Sequence, residues 1–406
     1  MTDVLKPRDA KEVEDALRWA LDGAKALEVA GAGSKRAIGR PSQTDLTLDL
    51  SGLSGVTLYE PEELVLTAKA GTPLAEIEAL VASKNQQLAF EPLDYGPVFG
   101  APAGQGTIGG ALAANLSGPR RIKAGAARDH FLGFTAVSGR GETFKSGGRV
   151  VKNVTGYDLC KLMAGSWGTL AVLTDVTIKV MPRPETEQTL LMLGLTDAEA
   201  IAAMSVAMGS SCDVSGAAHL PWTVALRTPG HAHRTSLTAL RLEGVAPSVT
   251  HREVALEDLM RRFGELDLLG ETESRAFWQC IRDAYPFAST GTVERPLWRL
   301  STAPGNGARV AAAIAEKAGA QVFYDWAGGL VWIELLPSPD AGAGVVHRVV
   351  ADAGGHATLI RAPTAVRAAV DVFPPQQGGL AALTKRVKES FDPKGMLNPG
   401  RMWAGI

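Results

Sequence analysis

The chain has 406 residues, of which 46% are hydrophobic and 21% charged, and its formal net charge is −2. This length predicts two or three domains, and the balance of apolar and charged residues excludes a chain that is disordered over most of its length. Because the 41 basic and 43 acidic residues are well mixed, the sequence lacks the basic stripe that binds nucleic acid, and we expect no nucleic-acid partner.

The cysteines and the N-terminal segment indicate a cytoplasmic protein. Cys160, Cys212 and Cys280 are far apart and form no CxxC pair, which argues against a self-contained iron–sulfur site and against a disulfide framework. The first 21 residues are charged throughout and lack the apolar core of a signal peptide. No uncharged apolar window of about 18 residues occurs, so we expect no direct membrane span. Attachment to a membrane through partner subunits stays open.

Predicted helices and strands alternate in the first 184 residues, as judged from apolar periodicity and β-branched content. The predicted elements are a helix at 9–21, a strand at 26–30, a helix at 73–83, and strands at 131–139 and 170–184. The pair Pro182 and Pro184 marks a boundary, because proline restricts both its own backbone and that of the preceding residue.

Two units of similar outline follow this boundary, each with an apolar strand, an alanine-rich helix and a further strand. The first comprises 189–195, 197–208 and 222–227, and the second comprises 297–302, 307–318 and 330–336. They predict an α+β region with antiparallel strands. The tail at 390–403 contains two prolines and two glycines, so we expect it to return as a strap after a helix at 380–390.

The first glycine-rich motif, GAGSK at 31–35, directly follows a predicted strand. Small residues let the backbone approach an anion, so that successive N–H groups converge on phosphate oxygens. A tight turn that leaves the strand is the alternative. The motif is not a Rossmann fingerprint, because Arg36 stands where the third glycine would fall, and no GxxxxGK[ST] Walker loop occurs in the chain.

The second motif, GQGTIGG at 104–110, leads into ALAAN at 111–115, and with Gly100 it places five glycines in eleven positions. Close approach of the backbone to a large flat ligand requires such small residues. A flexible surface loop is the alternative, but it does not account for Ile108, the glycine pair and the alanine-rich turn in that order. A third region joins KNVTGYDL at 152–159 to GSWGTL at 165–170, and by itself it indicates a loop site with no assigned ligand.

Together and in this order, these motifs resemble the FAD-binding domain that vanillyl-alcohol oxidase shares with p-cresol methylhydroxylase. The resemblance runs through GTIGGALAAN, KNVTGYDL, GSWGTLAVLT and DPKGMLNPGRM and covers nearly the whole chain. The segments YDWAGGLVWIE at 324–334 and GGHATLIRAP at 354–363 look like those of the FAD-binding E subunits of bacterial glycolate oxidases.

The resemblance implies an α+β fold in three parts. These are a two-subdomain FAD-binding domain of the p-cresol methylhydroxylase type at 1–184, an α+β cap for substrate or partners at 185–375, and a C-terminal strap at 376–406 that returns to the FAD-binding domain. It also implies that the first two loops hold the FAD pyrophosphate, that GTLAVLT passes the adenine and ribose, and that NPG closes near the flavin. The FAD-binding residues implied are Gly31, Ala32, Gly33, Ser34, Lys35, Gly106, Thr107, Ile108, Gly109, Gly110, Asn115, Thr169, Val172 and Asn398.

Two departures from the wider family matter. Covalent members place His or Cys beside the flavin, commonly His in the first loop, where this chain offers only Ala32, Ser34 and Lys35, so we expect non-covalent FAD. Metal-assisted 2-hydroxy-acid dehydrogenases carry a histidine pair and a GDGNxH segment, and this chain has no GDGN. We expect His231 and His233 to lie in a solvated loop, and we expect no metal site. Without an evident base or metal to take the hydroxyl proton, the isolated chain is not expected to catalyse the reaction alone.

Four residues of the cap are candidates for contact with a small substrate. Arg361 and Arg299 carry the planar fork that pairs with a carboxylate, and Asp325 and His356 are able to move a proton. A structural salt bridge or a subunit contact is the alternative for each arginine. Three tryptophans are expected in the core or at an interface rather than stacked on the flavin: Trp298, Trp326 and Trp332.

The resemblance predicts the FAD-binding subunit of a glycolate oxidase complex, which oxidises glycolate to glyoxylate beside a second flavin subunit and an iron–sulfur subunit. One alternative is a self-sufficient FAD-linked oxidase or dehydrogenase of D-lactate or another 2-hydroxy acid. Another is a flavin-free scaffold subunit. Partner dependence implies a docking surface, which we expect around Trp298, Arg361 and Trp403.

Overall fold

The computed structural model describes residues 3–149, 156–229, 233–291 and 295–406. Helices and strands are mixed along these ranges, which confirms the α+β prediction. The strands are β1 (Asp3–Leu5), β2 (Leu27–Ala30), β3 (Leu46–Asp49), β4 (Val56–Glu60), β5 (Val65–Lys69), β6 (Gln86–Gln87), β7 (Phe131–Ser138), β8 (Thr143–Gly147), β9 (Ala171–Lys179), β10 (Met181–Pro182), β11 (Thr186–Leu193), β12 (Gly216–Leu220), β13 (Leu237–Gly244), β14 (Leu266–Leu269), β15 (Leu297–Ser301), β16 (Ala320–Asp325), β17 (Leu330–Leu335) and β18 (His356–Arg361). The α-helices are α1 (Ala10–Asp22), α2 (Leu74–Ala82), α3 (Ile108–Ala113), α4 (Arg121–Ala124), α5 (Ala127–His130), α6 (Leu159–Met163), α7 (Asp197–Met208), α8 (Trp222–Ala225), α9 (Ala246–Met260), α10 (Glu271–Arg282), α11 (Gly307–Ala318), α12 (Ala343–Asp352), α13 (Thr364–Ala369) and α14 (Gly378–Phe391).

Two main sheets lie in the N-terminal part. In the first, β3 lies between β1 and β2, and all three strands are parallel. The second is antiparallel, with the order β4-β5-β9-β7-β8. Helix α1 begins after Asp9, whose side chain accepts a hydrogen bond from the Glu12 N–H, and its buried face packs against residues of β2 and β3. The apolar residues of α1 follow helical spacing because they lie on the one face that packs against these strands. The predicted helix is confirmed.

An eight-stranded sheet follows, with the order β14-β11-β13-β12-β16-β17-β15-β18 and antiparallel neighbours. The helices predicted at 197–208 and 307–318 are α7 and α11, and both pack on this sheet's core. The strand predicted at 222–227 is wrong, because Trp222–Ala225 forms the short helix α8 after Pro221, and the strand in this unit is β12. A short apolar run does not by itself distinguish a strand from a buried helical turn.

The C-terminal segment lies against β2. The Leu27 N–H donates to the Met396 carbonyl at 2.8 Å, and the Asn398 N–H donates to the Leu27 carbonyl at 2.9 Å. Lys388 at the end of α14 is buried, and its ammonium donates to the Asp392 carboxylate and to the carbonyls of Thr169 and Leu397. These contacts fix the segment after α14 on the N-terminal part of the chain. The domain limits predicted at 184 and 375 stay a prediction.

Buried ion pairs join the N-terminal part to the eight-stranded sheet. Arg120 Nη2 lies 2.6 Å from Glu243 Oε1, and Arg241 Nη1 lies 2.9 Å from Glu91 Oε1. The Arg241 side chain is completely buried. Burial alone would raise the pKa of Glu91, but Arg120 and Arg241 together lower that pKa. The charges compensate one another, which a buried network requires.

Candidate functional site: an elongated cavity with two cations

An open cavity lies where the first glycine motif, the second glycine motif and the turn at 165–170 meet. Residues from these three sequence-predicted regions line it together with Arg401 of the C-terminal segment. Its lining residues are Val29, Ala30, Gly31, Ala32, Gly33, Ser34, Lys35, Arg36, Leu50, Ala70, Thr107, Gly109, Gly110, Ala113, Ala114, Trp167, Gly168, Ala171, Leu173 and Arg401. The structure therefore brings together loops that are more than 130 residues apart in the sequence.

The first motif leaves β2 as a loop with free backbone donors. Within the described residues, the N–H groups of 32–35 donate no hydrogen bond. Gly33 has φ +77°, a conformation that L side chains rarely adopt. A Cβ on Gly31 would stand 2.5 Å from Thr107 Oγ1, so glycine at this position allows the two motifs to approach each other. The loop can thus present several N–H groups to an anion.

The second motif uses its backbone donors differently from the prediction. Thr107 caps α3, since its hydroxyl accepts from the Gly110 N–H. The Ile108 and Gly109 N–H groups donate to the carbonyls of Thr72 and Ala70, at 3.0 and 2.8 Å, so neither is available to a phosphate in this structure. Gly109 is required for packing, because a Cβ there would stand 2.7 Å from Ala70 Cβ.

Three basic residues line this cavity, and since Arg36 is paired with Glu28, Lys35 and Arg401 are the two cations considered for a ligand. Burial lowers the pKa of Lys35 to about 8, and its ammonium donates to Ser34 Oγ at 3.2 Å. The same ammonium would lie 3.5 Å from a Cβ on Gly110, so it stands over the start of α3. Burial also lowers the pKa of Arg401 to about 10, and Arg401 Nε has no hydrogen-bond partner within the described ranges. No Asp or Glu is among the lining residues that the structure describes. Two cations without a lining carboxylate suit a diphosphate.

The turn at 165–170 is held by Asn398. Its side-chain oxygen accepts from the Val29 N–H at 2.9 Å, and its amide nitrogen donates to the Trp167 carbonyl at 2.8 Å. Trp167 and Gly168 both have positive φ, +55° and +71°, and both line the cavity. Asn398 itself is fully buried and does not line it. Its place in the structure is that of a clamp between β2 and this turn.

Several predicted FAD-binding residues lie outside the lining. Ile108 and Val172 are buried in the core, and Thr169 is held by hydrogen bonds of its hydroxyl to Ser166 and of its carbonyl to Lys388. Asn115 accepts from the Arg128 N–H, and the Gly106 carbonyl accepts from the Leu74 N–H. On β9 it is Ala171 and Leu173 that reach the cavity, as the alternation of side chains along a strand requires. The lining residues that the sequence reasoning missed include Trp167, Leu173 and Arg401. Trp167 and Arg401 stand inside the motifs GSWG and NPGRM.

The candidate cap residues divide into two groups. Arg361 is a structural clamp, because its guanidinium donates to the carbonyls of Arg295, Val98 and Phe287 and to the Glu334 carboxylate. The prediction of a docking surface around it is wrong for Arg361 and for Trp298, since they are 5% and 0% exposed. Trp326 and Trp332 are also buried, which confirms their expected place in the core, and Trp403 donates its indole N–H to the Pro374 carbonyl.

Arg299 and Asp325 lie close to Trp326, and His356 is on the strand that pairs with the strand of Arg299. Arg299 Cζ is 4.9 Å from the centroid of the Trp326 ring, and Asp325 Oδ1 accepts from the Trp326 N–H at 2.7 Å. Burial raises the pKa of Asp325 to about 7. Partial burial, then the charges of Arg299 and Arg121, lower the pKa of His356. These three candidates are together, whereas Arg361 is engaged elsewhere.

The cavity lining and the surroundings of Trp326 share a packing cluster. Ala114 and Trp167, which line the cavity, pack against the cluster that contains Tyr95, Trp326 and Trp332. The Trp326 indole N–H donates to the Gly118 carbonyl at 3.0 Å, and Gly118 follows Ala114 by four residues. Ala114 and Trp167 thus connect the cavity lining to the cluster that contains Trp326.

The remaining expectations concern histidines, metals and membranes. His233 pairs with Asp267 at 2.8 Å, and His231 lies outside the described residues, as do 152–155 of the third motif. Among the described residues, no group of three or more His, Cys, Asp or Glu side chains is placed to hold a metal ion. In the same ranges, no helix has the length and apolar character needed to cross a bilayer. The three cysteines are buried and free.

Comparisons with known proteins place this architecture. A family model described as FAD binding domain matches residues 2–147. The chain is 35% identical to glycolate oxidase subunit GlcE of Escherichia coli (strain K12), over 94% of this chain and 93% of that protein. It is 31% identical to glycolate oxidase subunit GlcD of Bacillus subtilis (strain 168), over 47% of this chain and 39% of that protein. The solved structure of p-cresol methylhydroxylase with substrate bound has a TM-score of 0.72 at 12% identity, over 99% of this chain and 88% of that chain, and it shows the likeness of fold.

The cavity fits the cofactor that the family model names. Its free N–H groups and two cations suit the pyrophosphate of FAD, and its small residues from 109 to 114 allow a flat ring system to lie against the backbone. The described lining contains neither His nor Cys, the residues that would bind a flavin covalently. The chain is an FAD-binding oxidoreductase and belongs to the family of the glycolate oxidase subunit GlcE.

Proposed function

We propose that this chain is the FAD-binding subunit of a glycolate oxidase complex that oxidises glycolate to glyoxylate. The observation that carries the proposal is the identity of 35% with GlcE over nearly the full length of both chains, combined with a cavity that suits FAD. The proposal includes non-covalent FAD, supported by the absence of His and Cys from the described lining. When bound, FAD supplies the two-electron acceptor for oxidation of a carbon that bears a hydroxyl group.

The residues of the chain divide the work of holding this cofactor. The N–H groups of 32–35, with Lys35 and Arg401, hold the pyrophosphate. Ala171 and Leu173 provide an apolar wall, and Asn398 keeps the turn that carries Trp167 against β2. Ala113 and Ala114, which also line the cavity, would leave room for the flat ring system of the cofactor.

Electron transfer onward requires partner subunits in this proposal. The three cysteines are buried and scattered, so the described residues offer no cluster site to carry electrons away from the flavin. The GlcD protein of Bacillus subtilis is also named a glycolate oxidase subunit, and it matches 47% of this chain. Because two related proteins are both named as subunits of a glycolate oxidase, we propose a second flavin subunit as a partner. We propose an iron–sulfur subunit as the third component. A cytoplasmic location, with any membrane contact made by the partners, completes the proposal and suits free cysteines.

The test is co-purification of the tagged chain with its native partners, followed by an absorption spectrum and a glycolate assay. Yellow protein that releases its colour on acid precipitation, and a complex that forms glyoxylate, are the expected results. Colour that stays in the pellet would overturn non-covalent binding. Colourless protein would favour the flavin-free scaffold.

Stopped-flow reduction separates the proposal from a self-sufficient enzyme. The FAD-loaded isolated chain is mixed anaerobically with glycolate, and in parallel with D-lactate. We expect slow bleaching of the flavin until the other subunits are added, because no metal-assisted base is evident. Bleaching of the isolated chain at the rate of the whole complex would favour the self-sufficient dehydrogenase.

A further inference from the structure

Two arginines lie against one tryptophan, and neither forms a direct ion pair within the described residues. Arg121 Cζ lies 4.4 Å and Arg299 Cζ 4.9 Å from the centroid of the Trp326 ring, so the two guanidinium groups are neighbours on a single indole. Neither side chain forms an ion pair or hydrogen bond with any residue in the described ranges. Both are partly buried. Paired cations in such a place normally have a carboxylate partner, because desolvation of an unpaired charge is costly.

Other arginines nearby show that the chain can supply such partners. Arg120, adjacent to Arg121 in sequence, pairs with Glu91 and Glu243. Arg361, on the strand beside that of Arg299, pairs with Glu334 and three carbonyls. The only described acid directly beside Trp326 is Asp325, and burial raises its pKa to about 7, so it is a weak counter-ion at neutral pH. The positive charge of Arg121 and Arg299 therefore remains available to a ligand.

The backbone and a phenol add to the site. Trp326 and Ala327 both have positive φ, +53° and +55°. Two successive non-glycine residues in the left-handed region are strained, and such strain is concentrated at functional sites. Tyr95 is 4% exposed, lies edge-on to Trp332, and makes no hydrogen bond through its hydroxyl within the described ranges. Burial raises the pKa of Tyr95 to about 12, so its hydroxyl remains a donor at neutral pH.

We propose that Arg121 and Arg299, with the Tyr95 hydroxyl, form a binding site for the carboxylate of a short 2-hydroxy acid beside Trp326. The guanidinium groups supply planar forks that match a carboxylate, and both are partly buried against the Trp326 ring. Arg121 comes from the N-terminal part of the chain and Arg299 from the eight-stranded sheet, so the site exists only when the two parts are assembled. The inference rests on the proposed function for the class of substrate, while binding of a carboxylate is measurable without turnover.

The direct test is calorimetric titration of the isolated, FAD-loaded chain with oxalate, a carboxylate that carries no oxidisable hydroxyl group. We expect oxalate to bind the wild-type chain. Arg121→Gln and Arg299→Met should each lower its affinity by at least about tenfold while the flavin content stays unchanged. The matched control is Arg261→Gln, since the Arg261 side chain is 68% exposed and lies beside Glu257 and Asp258 on the surface. Failure of the wild-type chain to bind oxalate, equal affinity for sulfate, or full binding by both variants would overturn the site.

Thermal stability distinguishes a ligand site from a structural role. Arg299→Met replaces an unpaired buried cation by an apolar side chain that also packs on tryptophan, so we expect the melting temperature of the ligand-free chain to stay the same or rise. Arg361→Met should lower it, because Glu334 and three carbonyls lose their donor. A clear drop for Arg299→Met would mean that Arg299 is structural. Arg299→Lys, which keeps the charge but not the fork, should recover part of the oxalate affinity.

Activity of the assembled complex separates the two proposals. If they both hold, Arg121→Gln and Arg299→Met should raise KM for glycolate by a larger factor than they lower kcat. Glycolate turnover that neither variant alters would refute the carboxylate site and leave the proposed function intact. Oxalate binding by a complex that does not oxidise glycolate would refute the proposed function and leave the carboxylate site intact.

Discussion

Lys35 makes the affinity for FAD depend on pH in a way that the structure predicts. Burial lowers its pKa to about 8 in the cofactor-free chain. A bound pyrophosphate would supply the missing counter-charge and return the pKa toward its ordinary value near 10.5. Binding above pH 8 therefore takes up a proton. From this linkage the dissociation constant for FAD should be constant below pH 7 and rise about tenfold between pH 7 and pH 9.

The assay is titration of the cofactor-free chain with FAD, followed by quenching of flavin fluorescence across this pH range. Lys35→Gln should weaken FAD binding about tenfold or more at pH 7, because one charge-assisted hydrogen bond is lost. The dissociation constant of this variant should also depend less on pH. Lys25→Gln is the control, because Lys25 lies outside the cavity lining, is exposed and stands 3.9 Å from Asp45. A wild-type affinity that does not change with pH, or an unchanged slope in Lys35→Gln, would refute the role of Lys35.

Three further predictions concern stability. Lys388→Met leaves the Asp392 carboxylate buried without its cation, so the free energy of unfolding in urea should fall by about 3 kcal/mol. Gly109→Ala brings a Cβ to 2.7 Å from Ala70 Cβ, and we expect a loss of about 1–3 kcal/mol together with weaker FAD retention. Asp325→Asn should stabilise the protein near pH 8 more than at pH 5. Burial raises the pKa of Asp325 to about 7, so the folded chain binds more protons than the unfolded chain between about pH 4 and pH 7. The stability of the wild-type protein therefore falls as the pH rises through that window.

Matched variants control two of these predictions. Lys385→Met removes an exposed lysine of the same helix, 3.9 Å from Glu389, and should change stability by less than about 1 kcal/mol. Gly148→Ala places a Cβ in open space with ordinary backbone geometry and should be nearly neutral. If a control variant lost as much stability as the variant it is paired with, the contacts of Lys388 or of Gly109 would not be the cause of the predicted loss. For Asp325→Asn, a pH profile parallel to that of the wild type would contradict the assigned pKa.

The motifs of the FAD site were predictable because their information is local. Glycine tolerates the positive φ of position 33 and the close contact between Gly31 and Thr107, and both demands leave a mark in the sequence. The structure gives Gly109 a packing reason, since a Cβ there would stand 2.7 Å from Ala70 Cβ, while its predicted place at a phosphate stays a prediction. A glycine in the sequence indicates that a Cβ would not fit at that position. Which neighbouring group occupies the space is known only from the structure.

The parts that the sequence did not predict depend on distant contacts. The alternation on β9 decides that Ala171 and Leu173 face the cavity, and a shift by one residue would instead select Val172, as the resemblance had suggested. Arg121 and Trp326 lie 205 positions apart, so no local pattern announces their contact. Arg361 was a reasonable candidate by residue type alone, and only its four acceptors show that its guanidinium is committed to the fold.

Arg120 and Arg121 show how the fold prepares a site with unpaired charge. Arg120 is held by Glu91 and Glu243, one from the N-terminal part and one from β13, and this network fixes α4 against the eight-stranded sheet. The next side chain along the helix is thereby carried to Trp326 without needing a partner of its own. The ion pairs of Arg120 with Glu91 and Glu243 stabilise the position of α4. The same ion pairs therefore hold Arg121 in place, although Arg121 has no ion pair of its own among the described residues. A site that must attract an anion gains from this division, because a local carboxylate partner for Arg121 would compete with the substrate.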